Sequence, residues 1–116
     1  MKPTSYKTGL IAETTCKIVL RLKFYRILAT RYKTPFGEID ILAKRGNVII
    51  AVEVKARKNF ETAAESISPK QQSRIANALR HFMSHNAKLS NCSVRFDAML
   101  VAPGKWPIHI KNAWMS

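Results

Sequence analysis

The chain has 116 residues, 47% hydrophobic and 23% charged, with four glycines, five prolines and two cysteines. That is one domain with one core, and the composition excludes collagen, low-complexity disorder, a coiled-coil rod and a disulfide-stapled miniprotein. Lys and Arg number 20 against 7 Asp and Glu, a net charge of +13 that repels itself.

A polyanion relieves that repulsion, and nucleic acid is the expected partner. An anionic membrane surface or ribosomal RNA would relieve it equally. The longest Ala/Val/Ile/Leu run is Val48 to Val52, too short to span a bilayer. The apolar stretches are also too short for a secretory signal, so a cytoplasmic location is expected. Residues 36–70 hold five of the seven acids, a clustering that needs a reason in a chain that otherwise avoids negative charge.

The pattern predicts a first helix over Thr8 to Lys23. Ile11, Ile18 and Leu22 form its apolar arc with Thr15 and Val19 alongside, and Glu13 and Lys17 pair at i, i+4. An extended segment over Tyr25–Lys33 ends at Thr34-Pro35. Strands follow at Gly37–Lys44 and Val48–Ala56, then a short helical turn over 61–67. Ser68 suits an N-cap, Pro69 the first helical position, and Gln71 completes a capping box. The helix they open carries the stripe Ile75, Ala78, Leu79, Phe82, Met83 and frays before Ser90-Asn91. Strands at Val94–Ala102 and Ile108–Trp114 close the chain. The order is αβββαββ, an α/β domain with a mixed sheet flanked by helices.

Gly46-Asn47 is a two-residue hairpin signal. Such a loop sets Asp40 opposite Glu53 and Glu38 opposite Lys55. These four then share one face of the sheet, while Ile39, Ile41, Val52 and Val54 share the other and take the core. A three-residue loop would separate the two acids. Opposed carboxylates lie about 4.5–5.5 Å apart at Cβ and repel. A shared proton, an adjacent lysine or a divalent cation would rescue them. Mg²⁺ binds carboxylate oxygens and keeps several waters, as metal-assisted phosphodiester hydrolysis requires. Lys55 reaches the same space as a cation that orients water or stabilises phosphorane charge. The bland alternative is a solvated strand face with a Glu38–Lys55 ion pair.

Cys16 and Cys92 lack metal-type spacing and read as reduced, packed cysteines. His81 and His85 stand at i, i+4 but have no third ligand near them in sequence, and read as helix-surface residues. His109 reads as the polar face of a strand.

Gly37-Glu38-Ile39-Asp40, twelve residues, then Glu53-Val54-Lys55 resembles the PD-(D/E)XK nuclease pattern. With Gly9, Glu13, Lys70-Gln71, Arg95-Phe96-Asp97 and Asn112-Ala113-Trp114, the chain resembles more specifically the YraN family of small bacterial proteins. The resemblance implies a restriction-endonuclease-like core similar to Holliday-junction resolvases, spanning residues 1–116 as a single nucleic-acid-binding domain. It implies Asp40, Glu53 and Lys55 as catalytic residues, and Asp40, Glu53 and Glu13 as ligands of Mg²⁺ or Mn²⁺. Glu38 and Gln71 are accessory candidates, and Asp97 is expected to be structural, pairing with Arg95 or capping a backbone group. Lys44, Arg57, Lys58 and Lys70 are the candidate nucleic-acid contacts. The expected activity is cleavage of structured or branched DNA, by a homodimer if both strands are cut. The other readings are a non-cleaving nucleic-acid-binding module on the same fold and a ribosome-associated accessory protein.

Overall fold

The structure, a computed structural model, describes the backbone of residues 5–114 and side chains from Gly9 onward. Its elements are α1 (Ser5–Leu22), β1 (Arg26–Thr34), β2 (Gly37–Arg45), β3 (Val48–Ala56), α2 (Phe60–Glu65), α3 (Pro69–Ser84), β4 (Ser93–Val101) and β5 (Ile108–Trp114). A 3₁₀ turn over Ala87–Leu89 follows α3. The five strands form one sheet in sequence order. β1, β2 and β3 are antiparallel neighbours, β4 runs parallel to β3, and β5 is antiparallel to β4. The parallel step needs a crossover, which α2 and α3 supply. This mixed α/β architecture is compatible with a restriction-endonuclease-like core.

Helices cover both faces. Ile39, Leu42, Ile49, Ala51, Phe96, Ala98 and Leu100 pack beneath Ile75, Leu79 and Phe82 of α3. Ile41, Ala43, Ile50, Val52 and Met99 pack on the other face beneath Cys16, Val19 and Leu20 of α1. Each fully buried Ile or Leu contributes roughly 1.5–3 kcal/mol.

The expected α1 arc is rotated. Ile11, Ile18 and Leu22 are 61%, 51% and 64% exposed, and Ala12, Cys16, Val19 and Leu20 are the buried side. Apolar residues almost encircle this helix. The side bearing the small Ala12 and Cys16 lets it lie closest to the sheet, and that close packing wins.

The Gly46-Asn47 hairpin forms as expected. Arg45 pairs with Val48, and positive φ falls on Gly46, first of the two central residues. The β1–β2 turn is Pro35-Phe36, with Thr34 paired to Gly37. Thr34 Oγ1 accepts both the Phe36 and Gly37 N–H groups at 3.0 Å. Gly37 is required at this point: a Cβ there would overlap the carbonyl of Arg74 in α3.

The expected sharing of faces fails at Asp40. Arg31 adopts φ 54° in the middle of β1, between the pairs Thr30–Ile41 and Tyr32–Ile39, and so across from Asp40. The alternation of β2 breaks at this point: Ile39 joins the α3 side while Ile41 stays on the α1 side.

Candidate active site

The β2–β3 ladder runs from Arg45–Val48 to Ile41–Val52 and stops there. Asp40 is therefore not a ladder partner of Glu53. The strands part at this residue, and the Asp40 side chain enters the gap. Its Oδ2 accepts the Val54 N–H at 2.8 Å. This bond fixes the carboxylate and satisfies a backbone donor that the lost ladder leaves behind.

Glu53 follows on β3, only 4% exposed. Lys55 Nζ lies 3.2 Å from Glu53 Oε2. Gln71 Nε2 donates to the same oxygen. Ser68 does cap α3, accepting the Gln71 N–H at 3.1 Å. The Gln71 side chain, however, turns to Glu53 instead of reaching back to complete the capping box. The buried Glu53 oxygen needs a donor, whereas the Ser68 backbone N–H is left to solvent at an exposed residue.

Burial first, then the Asp40 charge and a hydrogen bond with Asp40, push the Glu53 carboxyl up to about 8, against the opposing pull of Lys55. Two carboxylates this close cannot both ionise cheaply, so at neutral pH the pair keeps a proton unless a cation replaces it. On the α1 side, burial first and then the charges of Asp40 and Glu13 push the Cys16 thiol up to about 12. Cys16 is thus an inert core group, and Asp40 acts on neighbours on both faces of the sheet.

Asp40 and Glu53 are the residues able to hold a divalent metal. Two carboxylates, one of them anchored and both otherwise burdened with a shared proton, fit a cation that keeps most of its own waters. Glu13 is not brought into a group with them. Its Oε1 accepts Arg31 Nε at 2.9 Å, and among the described residues no three His, Cys, Asp or Glu side chains gather as a metal site.

The remaining candidates divide by position. Glu38 is exposed; the β2–β3 ladder ends before it, so Lys55 is not its ladder partner as the hairpin arithmetic expects, and on its other side it pairs with Lys33 of β1. With Ser68, Lys70, Gln71 and Arg74 it lines a cleft of about 370 Å³ beside the carboxylates. Arg57 and Lys58 line a separate cleft of about 460 Å³ between the start of α1 and the ends of β3 and β4. Lys44 is not brought to the site. It sits four residues along β2 from Asp40, roughly 13 Å away, with its Nζ donating to the Gly46 carbonyl.

Sequence reasoning missed a second buried polar centre. Asp97 is structural, as expected: it takes Arg95 Nε and Nη2 at 2.8 Å and the Asn112 N–H at 3.0 Å. It also takes His109 Nε2 at 2.7 Å, and the His109 side chain is 2% exposed, so this histidine is not an exposed strand face. Lys23 Nζ donates to His109 Nδ1 at 3.0 Å. A lysine only donates, so the ring proton sits on Nε2. The signal available in sequence was a lone acid in a basic region, with a histidine one strand later. Alternation alone does not join them.

A family model described as "Uncharacterised protein family UPF0102" matches residues 12–101. A UPF0102 protein of Parvibaculum lavamentivorans is 44% identical over 110 residues, covering 95% of this chain and 83% of the relative. One of Rhodopseudomonas palustris (strain BisB5) is 46% identical over 110 residues, covering 95% and 84%. One of Nitrobacter winogradskyi is 42% identical over 114 residues, covering 98% and 97%.

Proposed function

The chain belongs to the UPF0102 family, the YraN family, and from that premise and the geometry of its buried acids we propose that it is a divalent-metal-dependent endonuclease acting on structured or branched DNA. The observation that carries this reading is the convergence on Glu53. A carboxylate buried beside a second acid, Asp40, is costly to the fold, and a divalent cation held between the two relieves that cost.

Asp40 and Glu53 would hold Mg²⁺ or Mn²⁺, which supplies Lewis acidity toward a phosphoryl oxygen and neutralises charge there. Val54 N–H fixes Asp40 in place, and Gln71 fixes Glu53. Lys55, held beside Glu53, presents an ammonium to the charge that develops on the phosphorus oxygens in the transition state. Lys70 and Arg74, lining the cleft next to Gln71, hold flanking phosphates. Cutting two strands of a branched substrate needs two such sites, and a homodimer supplies them.

A non-cleaving nucleic-acid-binding module is the second reading, favoured by one observation: among the described residues no third His, Cys, Asp or Glu joins the two acids. The test is single-turnover cleavage of linear, single-stranded, flap and four-way-junction DNA with Mg²⁺ or Mn²⁺. The nuclease reading expects metal-dependent products that Lys55→Ala reduces at least a hundredfold. DNA binding with no product from any substrate or metal selects the binding module.

A further inference from the structure

We propose that the tip of the β1–β2 turn and the facing side of α3 form a subsite for one unpaired nucleobase, stacked on Phe36 next to His81. This rests on the nucleic-acid reading above and narrows it to substrates with unpaired bases beside the cut.

Phe36 is the second residue of a two-residue turn, a position that ordinarily carries a polar side chain or glycine. Here it is a phenyl ring 57% exposed. Burying it would gain free energy, and among the described residues nothing covers it.

The ring is nevertheless held in place. Thr34 Oγ1 takes two backbone N–H groups of the turn, and Gly37 seats the turn against the Arg74 carbonyl. The phenyl centroid lies 6.2 Å from that of His81, tilted by 54°. His81 is itself fixed by a 2.7 Å hydrogen bond between its Nδ1 and the Tyr32 hydroxyl. His85 stacks on the outer side of His81 at 4.4 Å.

A cleft of about 440 Å³ opens here, lined by Phe36, Asn77, Arg80, His81 and Ser84. It joins the chemistry a nucleobase requires: a preorganised π face, an Asn77 amide whose N–H groups can donate while its Oδ1 accepts Arg80 Nη2 at 2.8 Å, and the remaining N–H groups of that guanidinium for the backbone phosphate. Lys70, Arg74, Asn77 and His81 recur at i, i+4, i+7, i+11, and so share one side of α3. From Gln71 at the acid pair to His81 is about 15 Å along the helix, the length of a few nucleotides. A strand leaving the acid pair therefore passes two cations and arrives at Phe36.

The test uses the full chain in EDTA, so that binding is read without cleavage. The probes are a blunt duplex and the same duplex carrying a short single-stranded extension with 2-aminopurine. Wild type should quench the 2-aminopurine. Phe36→Ala should lose the quench and about tenfold or more in affinity for the extended probe, the cost of one base–aromatic stack. Its affinity for the blunt duplex should change less than twofold, and Phe36→Trp should restore the quench. Equal losses on both probes, or no loss on either, overturn the subsite while leaving the nucleic-acid reading intact. If wild type binds neither probe, the nucleic-acid reading falls and the subsite falls with it.

Discussion

Asp40 accepts the Val54 N–H at 2.8 Å at the point where β2 ceases to pair with β3. The bond does two things at once: it closes the fork between the strands and aims a carboxylate at Glu53. A fork of this kind exposes functional groups that an intact ladder would hide. Across from Asp40, Arg31 takes a left-handed conformation that an arginine adopts only under constraint.

Gly37→Ala should be strongly destabilising, by about 2 kcal/mol or more. A methyl group there collides with the backbone carbonyl of Arg74, and a helix backbone cannot yield as a side-chain tip does. Urea unfolding of the variant reads the loss as a lower midpoint at unchanged slope. A midpoint within experimental scatter of wild type would contradict the seating of β2 on α3.

Much of this was legible in sequence. Ser68 and Pro69 announced α3, and Gly46-Asn47 fixed the register that brings Ile41 against Val52. What escaped were effects of tertiary context. The side of α1 that packs is chosen by the small Ala12 and Cys16, not by its largest apolar residues. The opposite placement of Ile39 and Ile41, on either side of Asp40, is signalled by no residue type. Gln71 reads as half of a capping box until Glu53 is known to be buried next to it. His109 reads as solvated until Asp97 and Lys23 close on it from two other elements.

Asp97→Asn should cost about 3–5 kcal/mol, the range for removing one partner of a buried ion pair. Burial alone would raise the Asp97 carboxyl. The donors on Arg95, His109 and the Asn112 backbone instead hold it well below the usual carboxylate range. Its stabilisation is therefore complete above the unfolded value near 3.8 and is lost as pH falls below it toward the folded value. Acid titration should show wild type and variant converging in stability at low pH. A gap as wide there as at pH 7 would contradict this origin.

Glu53 gives the opposite dependence. Its carboxyl rises from 4.5 unfolded to about 8 folded, so the folded state holds the extra proton between those values. In EDTA, wild-type stability should fall as pH rises from 5 to 8, by at most about 1.4 kcal/mol per pH unit for one proton. Glu53→Gln removes the titrating group and should flatten this fall, becoming the more stable protein at pH 8. Parallel pH profiles for the two proteins would contradict the shared proton.

DNA binding should be dominated by phosphate contacts, given a net charge of +13. If about five phosphates are engaged, log K should fall against log salt with a slope near −4.5. Lys70→Ala should make that slope shallower by about 1. Lys44→Ala should leave it unchanged, because Lys44 lies at the far end of β2 from Asp40. Equal effects of the two would place the DNA elsewhere on the molecule.

The claim that Asp40 and Glu53 form one metal site is tested most directly by melting the wild type and Asp40→Asn with and without Mg²⁺ or Mn²⁺. Without metal and above pH 8, where both carboxylates are ionised, Asp40→Asn should melt slightly higher, because one of two repelling charges is gone. With metal, wild type should gain stability by mass action and the variant much less. Equal metal-induced shifts in the two proteins would contradict the shared site, and with it the proposed hydrolysis.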